Sequence, residues 1–358
     1  MFRHRIQPGS PGSGKPAARV AVIIGQPGIG DMVWHQPALR AIAEHHGDPV
    51  TLFARPSTQA AALFARSPEV GVVIDFERGK GRSLAPALLD LTVRLRQGRF
   101  DRVYVLSRRS TMALATAMAA TPERLGFGAA GQSGLLNRGR TLDDRRVDGD
   151  GPVAQCRAFL ALNGLPAPDR APMLSASPEA RSIVRARWAR APRPWFAVGA
   201  SCNEPDRRWA PERFAELTQR LERRWGGTVF LYGGAHHADQ IDEVLNGLAG
   251  CGAGRIVDLS REALGFDQVM ALMAESRLFV GNDSGPLNVA AALGLPAFGL
   301  FGSAAPHASL SPRIRAILPD DGQPDLETGM ARLGVDHVLR SVEAVLDAPA
   351  PSDRTEVS

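Results

Sequence analysis

The sequence predicts an α/β protein of two Rossmann-like, doubly wound domains facing across a cleft, and three observations carry that prediction. Short runs rich in Val, Ile, Leu and Phe recur between amphipathic or alanine-rich segments from residue 19 onward, the alternation of βαβ units around a parallel sheet. The alternation restarts after a proline-rich stretch, PAPDRAPMLSASP at 166–178, which reads as an interdomain linker. The 358 residues, 44% hydrophobic and 22% charged, suffice for two cores of ordinary size.

Taken in order, residues 1–16 read as a flexible tail. GSPGSGK at 9–15 nearly spells a phosphate-binding P-loop, but Pro16 stands where Ser or Thr would be needed and no strand precedes it. A first domain, 17–165, has strands expected at 19–25, 50–54, 71–76 and 101–106, with helices at 31–45, 57–66 and 84–97. The polar, glycine-rich stretch 129–150 suits a mobile loop, and a helix is expected near 152–163. After a linker over 166–192, a second domain runs from 193 to 348. Its strands are expected at 195–201, 228–234, 255–260, 278–280 and after Pro296, with helices at 211–225, 238–249, 266–275, from Pro286, and at 335–347. Residues 349–358 form a polar tail.

Charge and cysteine content exclude several classes. The formal net charge is +5, but Lys15 and Lys80 are the only lysines and the arginines are spread along the chain. Without a basic block or interleaved aromatics, no nucleic-acid partner is expected; peripheral contact with an anionic membrane surface stays compatible. Cys156, Cys202 and Cys251 are odd in number and widely spaced, indicating neither a disulfide framework nor a zinc site. No apolar run approaches the ~20 residues of a membrane helix, and the opening residues do not resemble a signal peptide, so a cytoplasmic location is expected.

Three loops at strand carboxyl ends could line a cleft. In GNDSGPLNVAAALGLPAFGLFGS (281–303) an apolar strand passes through Asp283, Ser284 and Gly285 into a helix opened by Pro286. Free backbone N–H groups, the helix dipole and the Ser284 hydroxyl could hold a phosphate there; an ordinary Asx or Ser N-cap is the alternative. In GASCNEPDRRWAPERFAEL (199–217), Ser201, Arg207 and Arg208 follow a strand, and the arginines suit either bidentate phosphate pairing or a solvated loop. In QPGIGDMVWHQPALRAI (26–42), Asp31 is either a helix N-cap or a general base. His236 and His237, adjacent in the chain, are expected on different helix faces at the surface.

The ordered set of these segments resembles the ADP-heptose lipopolysaccharide heptosyltransferases, glycosyltransferase family 9, over residues 19–346. GIGDMVWHQPALRAI is similar to the family's G-D…PALRAL segment, NEPDRRWAPERFAEL to its K-R-W-P…F-A-L segment, and the 281–303 stretch to its D-[ST]-G-P-x-H-x-A-A-A-L-G-x-P…L-F-G segment. GVDHVLRSVEAVL resembles its last helix. The resemblance implies a GT-B type fold, with an acceptor-binding first domain and a nucleotide-sugar-binding second one. The implied reaction moves a sugar, heptose on ADP, to a lipopolysaccharide core or related glycan or glycolipid acceptor, with inversion and without a cofactor or bound metal.

Carried onto this chain, the resemblance makes Asp31 the base and Arg207 the counterpart of a diphosphate-binding lysine. It places Asp283, Ser284 and Gly285 on phosphate, and Leu259 with Ser260 along the adenine. Asn288 stands where the family usually has His, which with Arg207 for Lys leaves another donor sugar nucleotide open. Two rivals are a non-catalytic sugar-nucleotide binder and a nucleotide-sugar epimerase or hydrolase on the same fold. The latter would call for more cleft histidines and carboxylates than these loops supply.

Overall fold

The computed structural model describes residues 18–142, 152–165, 171–248, 255–306 and 311–347. Its contacts divide the chain into two compact units, the first running to Ser175 and the second beginning at Ala176. The expected tails 1–16 and 349–358, the P-loop-like stretch and Cys251 lie outside the described residues.

Unit 1 alternates β1 (Val20–Ile23), α1 (Ile29–His46), β2 (Val50–Ala54), α2 (Ala60–Leu63), β3 (Val70–Asp75), α3 (Leu84–Gly98), β4 (Arg102–Val105), α4 (Ser110–Met118), β5 (Glu123–Gly126) and α5 (Pro152–Leu162). The strands pair in parallel in the order β3-β2-β1-β4-β5. Ala21, Ile23, Phe53, Val103 and Val105 enter a core closed by Leu91 and Leu95 of α3 and Met112 of α4. The chain builds outward from β1 in one direction and resumes at β4 in the other, so the switch point where α/β sheets bind ligands lies at the carboxyl ends of β1 and β4.

Unit 2 comprises α6 (Pro178–Arg187), β6 (Trp195–Gly199), α7 (Pro211–Trp225), β7 (Thr228–Leu231), α8 (Ala238–Asn246), β8 (Ile256–Asp258), α9 (Phe266–Ala274), β9 (Leu278–Asn282), α10 (Gly285–Ala292), β10 (Ala297–Leu300), β11 (Ile314–Ile317), α11 (Gly329–Arg332) and α12 (Val335–Leu346). Its parallel sheet has the order β11-β10-β9-β6-β7-β8, with the switch point between β6 and β9. Phe196, Val198, Val280 and Phe298 bury there against Phe214, Leu217 and Leu221 of α7 and Val338 and Val342 of α12.

Three expectations need correction. The linker 166–192 is not a continuous connector: 166–170 lie outside the described residues, and 178–187 form α6. Ser177 caps that helix by accepting from the Ala180 N–H at 3.0 Å, and Arg181 and Arg185 pair with Glu275 beside α9. Pro178, the last proline of the proline-rich stretch 166–178, is a first-turn helix residue. In the expected mobile loop, the described part is pinned: Gln132 donates to the Ser107 carbonyl at 2.6 Å and accepts from Gly128 N–H at 3.1 Å, and Leu142 N–H donates to the Phe127 carbonyl at 2.8 Å. Residues 143–150 lie outside the described residues. β5, β11 and α4 add elements that the hydrophobic pattern did not reveal.

Candidate active site

The carboxyl ends of β6 and β9 meet through a pair of glycines, Gly199 and Gly281, in register. A Cβ at Gly281 would fall 2.4 Å from the Gly199 carbonyl oxygen, so the close approach requires glycine. Next in the chain is Asn282, fully buried. Its Nδ2 donates to the Ala200 carbonyl at 3.1 Å and its Oδ1 accepts from Trp209 N–H at 3.0 Å. One amide thereby joins the end of β9 to both ends of the loop between β6 and α7. Sequence reasoning passed over Asn282; its signal was a polar side chain closing an otherwise apolar strand.

This stitching brings together residues 76 positions apart: Arg207 Nη1 donates to Asp283 Oδ2 at 3.0 Å. Burial pushes the Asp283 carboxyl above its ordinary range, Arg207 pulls it down and Glu204 adds to the rise. Ser284 is the N-cap of α10, in extended conformation. An N-cap hydroxyl ordinarily accepts a first-turn N–H, but the buried Ser284 Oγ has no hydrogen-bond partner among the described residues. Gly285 and Pro286 open the helix, and Asn288, buried one turn in, donates from Nδ2 to the Ser284 carbonyl at 3.0 Å. An unpartnered hydroxyl, a helix N-terminus and a guanidinium adjoin one another, an arrangement able to hold an anion.

The other expected nucleotide residues have structural partners. Arg208 donates from Nε to the Cys202 carbonyl at 2.8 Å and from Nη2 to the Asn203 carbonyl at 3.1 Å, bracing its own loop. Ser201, buried, donates to the Tyr232 carbonyl at 3.4 Å and links the β6 and β7 loops. Leu259 is buried, and Ser260 N–H and Oγ both donate to Asp258 Oδ1, at 2.8 and 2.6 Å. Cys202, at the start of the same loop, has its thiol 3.4 Å from Glu204 Oε2; burial pushes its pKa up to about 11.

His236 is exposed as expected and His237 is half-buried, but the helix-face expectation fails. They lie in a 3-10 turn rather than a regular helix, and their ring centroids are 3.9 Å apart. His237 Nε2 lies 2.9 Å from Asn203 Oδ1, on the Arg207–Arg208 loop. The turn, not helical spacing, sets their direction.

In unit 1, Asp31 follows β1 at the switch point. It is not the N-cap: Gly28 caps α1, and Asp31, in the third helical position, accepts the Gly28 N–H on Oδ2 at 3.2 Å. That is half a capping box, glycine having no side chain to complete it. His35, one turn on and buried, donates from Nδ1 to the Asp31 carbonyl at 2.6 Å; burial lowers its pKa. Three arginines also gather at this sheet edge. Arg55 follows β2, Arg78 follows β3 and Arg109 precedes α4, and Arg78 has its pKa lowered by burial and then by Arg109 and Arg55. Among the described residues no group of three or more His, Cys, Asp or Glu side chains is placed to hold a metal ion.

The family model described as Glycosyltransferase family 9 (heptosyltransferase) matches residues 88–328. The chain belongs to glycosyltransferase family 9. A curated relative, lipopolysaccharide heptosyltransferase 2 of Escherichia coli K12, is 29% identical over 323 residues, covering 87% of this chain and 92% of its own. Among solved structures, the E. coli ADP-heptose lipopolysaccharide heptosyltransferase II superposes with a TM-score of 0.78 at 27% identity, covering 92% of this chain and 98% of its own. An E. coli heptosyltransferase holding ADP-2-deoxy-2-fluoro heptose has a TM-score of 0.69 at 16% identity, covering 91% and 99%. The fold of this glycosyltransferase is thus GT-B type, with a doubly wound parallel sheet in each unit.

Proposed function

We propose that this glycosyltransferase moves heptose from ADP-heptose onto a lipopolysaccharide-core acceptor, inverting the anomeric centre without a metal. The observation that carries the donor half is the unpartnered Ser284 hydroxyl at the start of α10 beside the Arg207–Asp283 pair. The diphosphate meets Arg207, Ser284 Oγ and the N–H groups of the α10 first turn, donors already in place where leaving-group charge develops. Ser201, Arg208 and Asn288 hold the loops that carry these donors, and Leu259 and Ser260 flank the nucleobase.

Asp31 on unit 1 is the base. The acceptor hydroxyl loses its proton to the Asp31 carboxylate as its oxygen bonds to the anomeric carbon, the bond from that carbon to the diphosphate oxygen breaks, and ADP leaves with the electron pair. Arg55, Arg78 and Arg109 suit an acceptor bearing phosphate or carboxylate groups. The reaction takes place in the cytoplasm at the inner membrane face.

The test is transfer from ADP-heptose to a deacylated lipopolysaccharide-core acceptor in EDTA, followed as ADP release and product mass. Turnover should persist in EDTA, and Arg207→Ala with Ser284→Ala should weaken ADP binding by at least about tenfold, the loss of charge-assisted hydrogen bonds. Parental ADP affinity in the double variant would misplace the site; exclusive use of a UDP- or GDP-sugar would overturn the donor assignment.

A further inference from the structure

Helix α3 turns Leu91, Thr92 and Leu95 inward, yet its exposed side carries an apolar stripe beside Asp90, Arg94 and Gln97. Pro86, Leu89 and Val93 recur there at three- and four-residue spacing, one stripe of a helix surface. Leu89 is 58% exposed and Val93 42%. Arg96 donates to the Met118 carbonyl at 2.8 Å, which sets Met118 of α4, 43% exposed, beside the same end of the stripe. Long apolar side chains held this far into water on adjoining helices mark a surface that something else covers.

The charge around the stripe identifies that partner. Residues 78–99 carry Arg78, Lys80, Arg82, Arg94, Arg96 and Arg99 against Asp90, an excess of five positive charges, with the exposed Glu77 and Asp101 flanking the segment. Asp90 is itself paired with Arg94 at 2.7 Å. Two copies docking through this face would bring like charges together, and the stripe has no aromatic ring on which a nucleic-acid base could stack. A bilayer with anionic headgroups satisfies both halves: Leu89, Val93 and Met118 enter the acyl boundary while the guanidinium groups stay at the phosphates.

We infer that the outer face of α3, with Met118 of α4, is the surface through which this protein docks on an anionic lipid bilayer. The placement also has a use. α3 follows the loop leaving β3, so its first turn stands at the sheet edge that carries Asp31, Arg55 and Arg78, where a lipid-anchored acceptor would present its sugar. This last point rests on the proposed function; the docking surface does not.

The experiment is co-sedimentation of the full chain with vesicles of phosphatidylethanolamine and phosphatidylglycerol, and with phosphatidylcholine alone. The parent should bind the anionic vesicles at least about tenfold better than the neutral ones, and Leu89→Glu with Val93→Glu should abolish that difference. Its melting temperature, ADP affinity and transfer to a deacylated acceptor free in solution should be unchanged. Arg82→Glu with Arg99→Glu should weaken binding without touching the apolar stripe. Parental vesicle binding by the Leu89/Val93 variant would overturn the inference, as would a parental dimer that this variant dissolves, which would assign the face to a second copy. Vesicle binding that follows the substitutions in a protein inactive with ADP-heptose would sink the functional reading and leave the surface standing.

Discussion

Asp31→Asn separates the two roles that one carboxylate can play at this turn. Asp31 accepts the Gly28 N–H on Oδ2 at 3.2 Å, a long bond at the third position of α1, and an asparagine carbonyl oxygen can accept it equally. What stability loses is the negative charge near the helix N-terminus, worth about 0.3–1 kcal/mol. For a unit of this size that lowers melting by roughly 1–4 °C. If Asp31 takes the acceptor proton, the same change removes a positioned base, which lowers turnover by ~10²- to 10⁴-fold, or about 3–5 kcal/mol of barrier. The kinetic effect exceeds the structural one several-fold. Turnover measured as ADP release, with melting and ADP affinity in parallel, should therefore show a large fall in rate beside small changes in the other two. Asp31→Ala is less informative, because it strips the Gly28 N–H of its acceptor as well. A folded Asp31→Asn protein within about threefold of parental turnover would refute the assignment of the base.

Asn282→Ala should destabilise unit 2 by ~2–4 kcal/mol, since it removes two hydrogen bonds and leaves the buried Trp209 N–H and Ala200 carbonyl without partners. Melting should fall by about 5–15 °C with ADP binding weakened, whereas a shift under about 2 °C would mean that the loop is held otherwise. His46 Nε2 lies 3.0 Å from the Tyr104 hydroxyl and 3.3 Å from Arg102 Nη1. Burial first, then Arg102 and His45, hold its pKa at about 4 against an ordinary 6.5. The unfolded chain then binds a proton that the folded one refuses between those values, so this contribution is whole above about pH 6.5 and lost as pH falls toward 4. His46→Gln should flatten the decline in melting temperature across that window; an unaltered pH profile would remove His46 from the account.

The family and the two-unit α/β plan were legible because they rest on local chemistry. Buried parallel strands such as VAVI and LFV must be apolar on both faces, and a strand running into Asp-Ser-Gly-Pro presents a helix N-terminus whatever surrounds it. Asp31, Arg207 and Ser284 could be singled out on that ground. β5 and β11 could not, because ERLG and IRAI are four residues long and break their apolar residues with charge, so neither presents an apolar run. α6 was hidden for a related reason, since a proline reads alike in a linker and in the first turn of a helix.

What tertiary structure alone decided is which donors stay available to a ligand. The sequence by itself determined that arginines, serines and a helix start would gather at strand ends. It could not say that Arg208 braces the Cys202 and Asn203 carbonyls, that Ser260 turns back on Asp258, or that Ser284 keeps its hydroxyl unpartnered. Nor could it show Asn282 binding the ends of β6 and β9 into one platform, or Arg207 meeting Asp283 from 76 residues away. Periodicity records only that a segment is buried. Which strand lies beside it follows from the strand order of the whole sheet, and the switch point that the order creates between β6 and β9 is where those side chains meet.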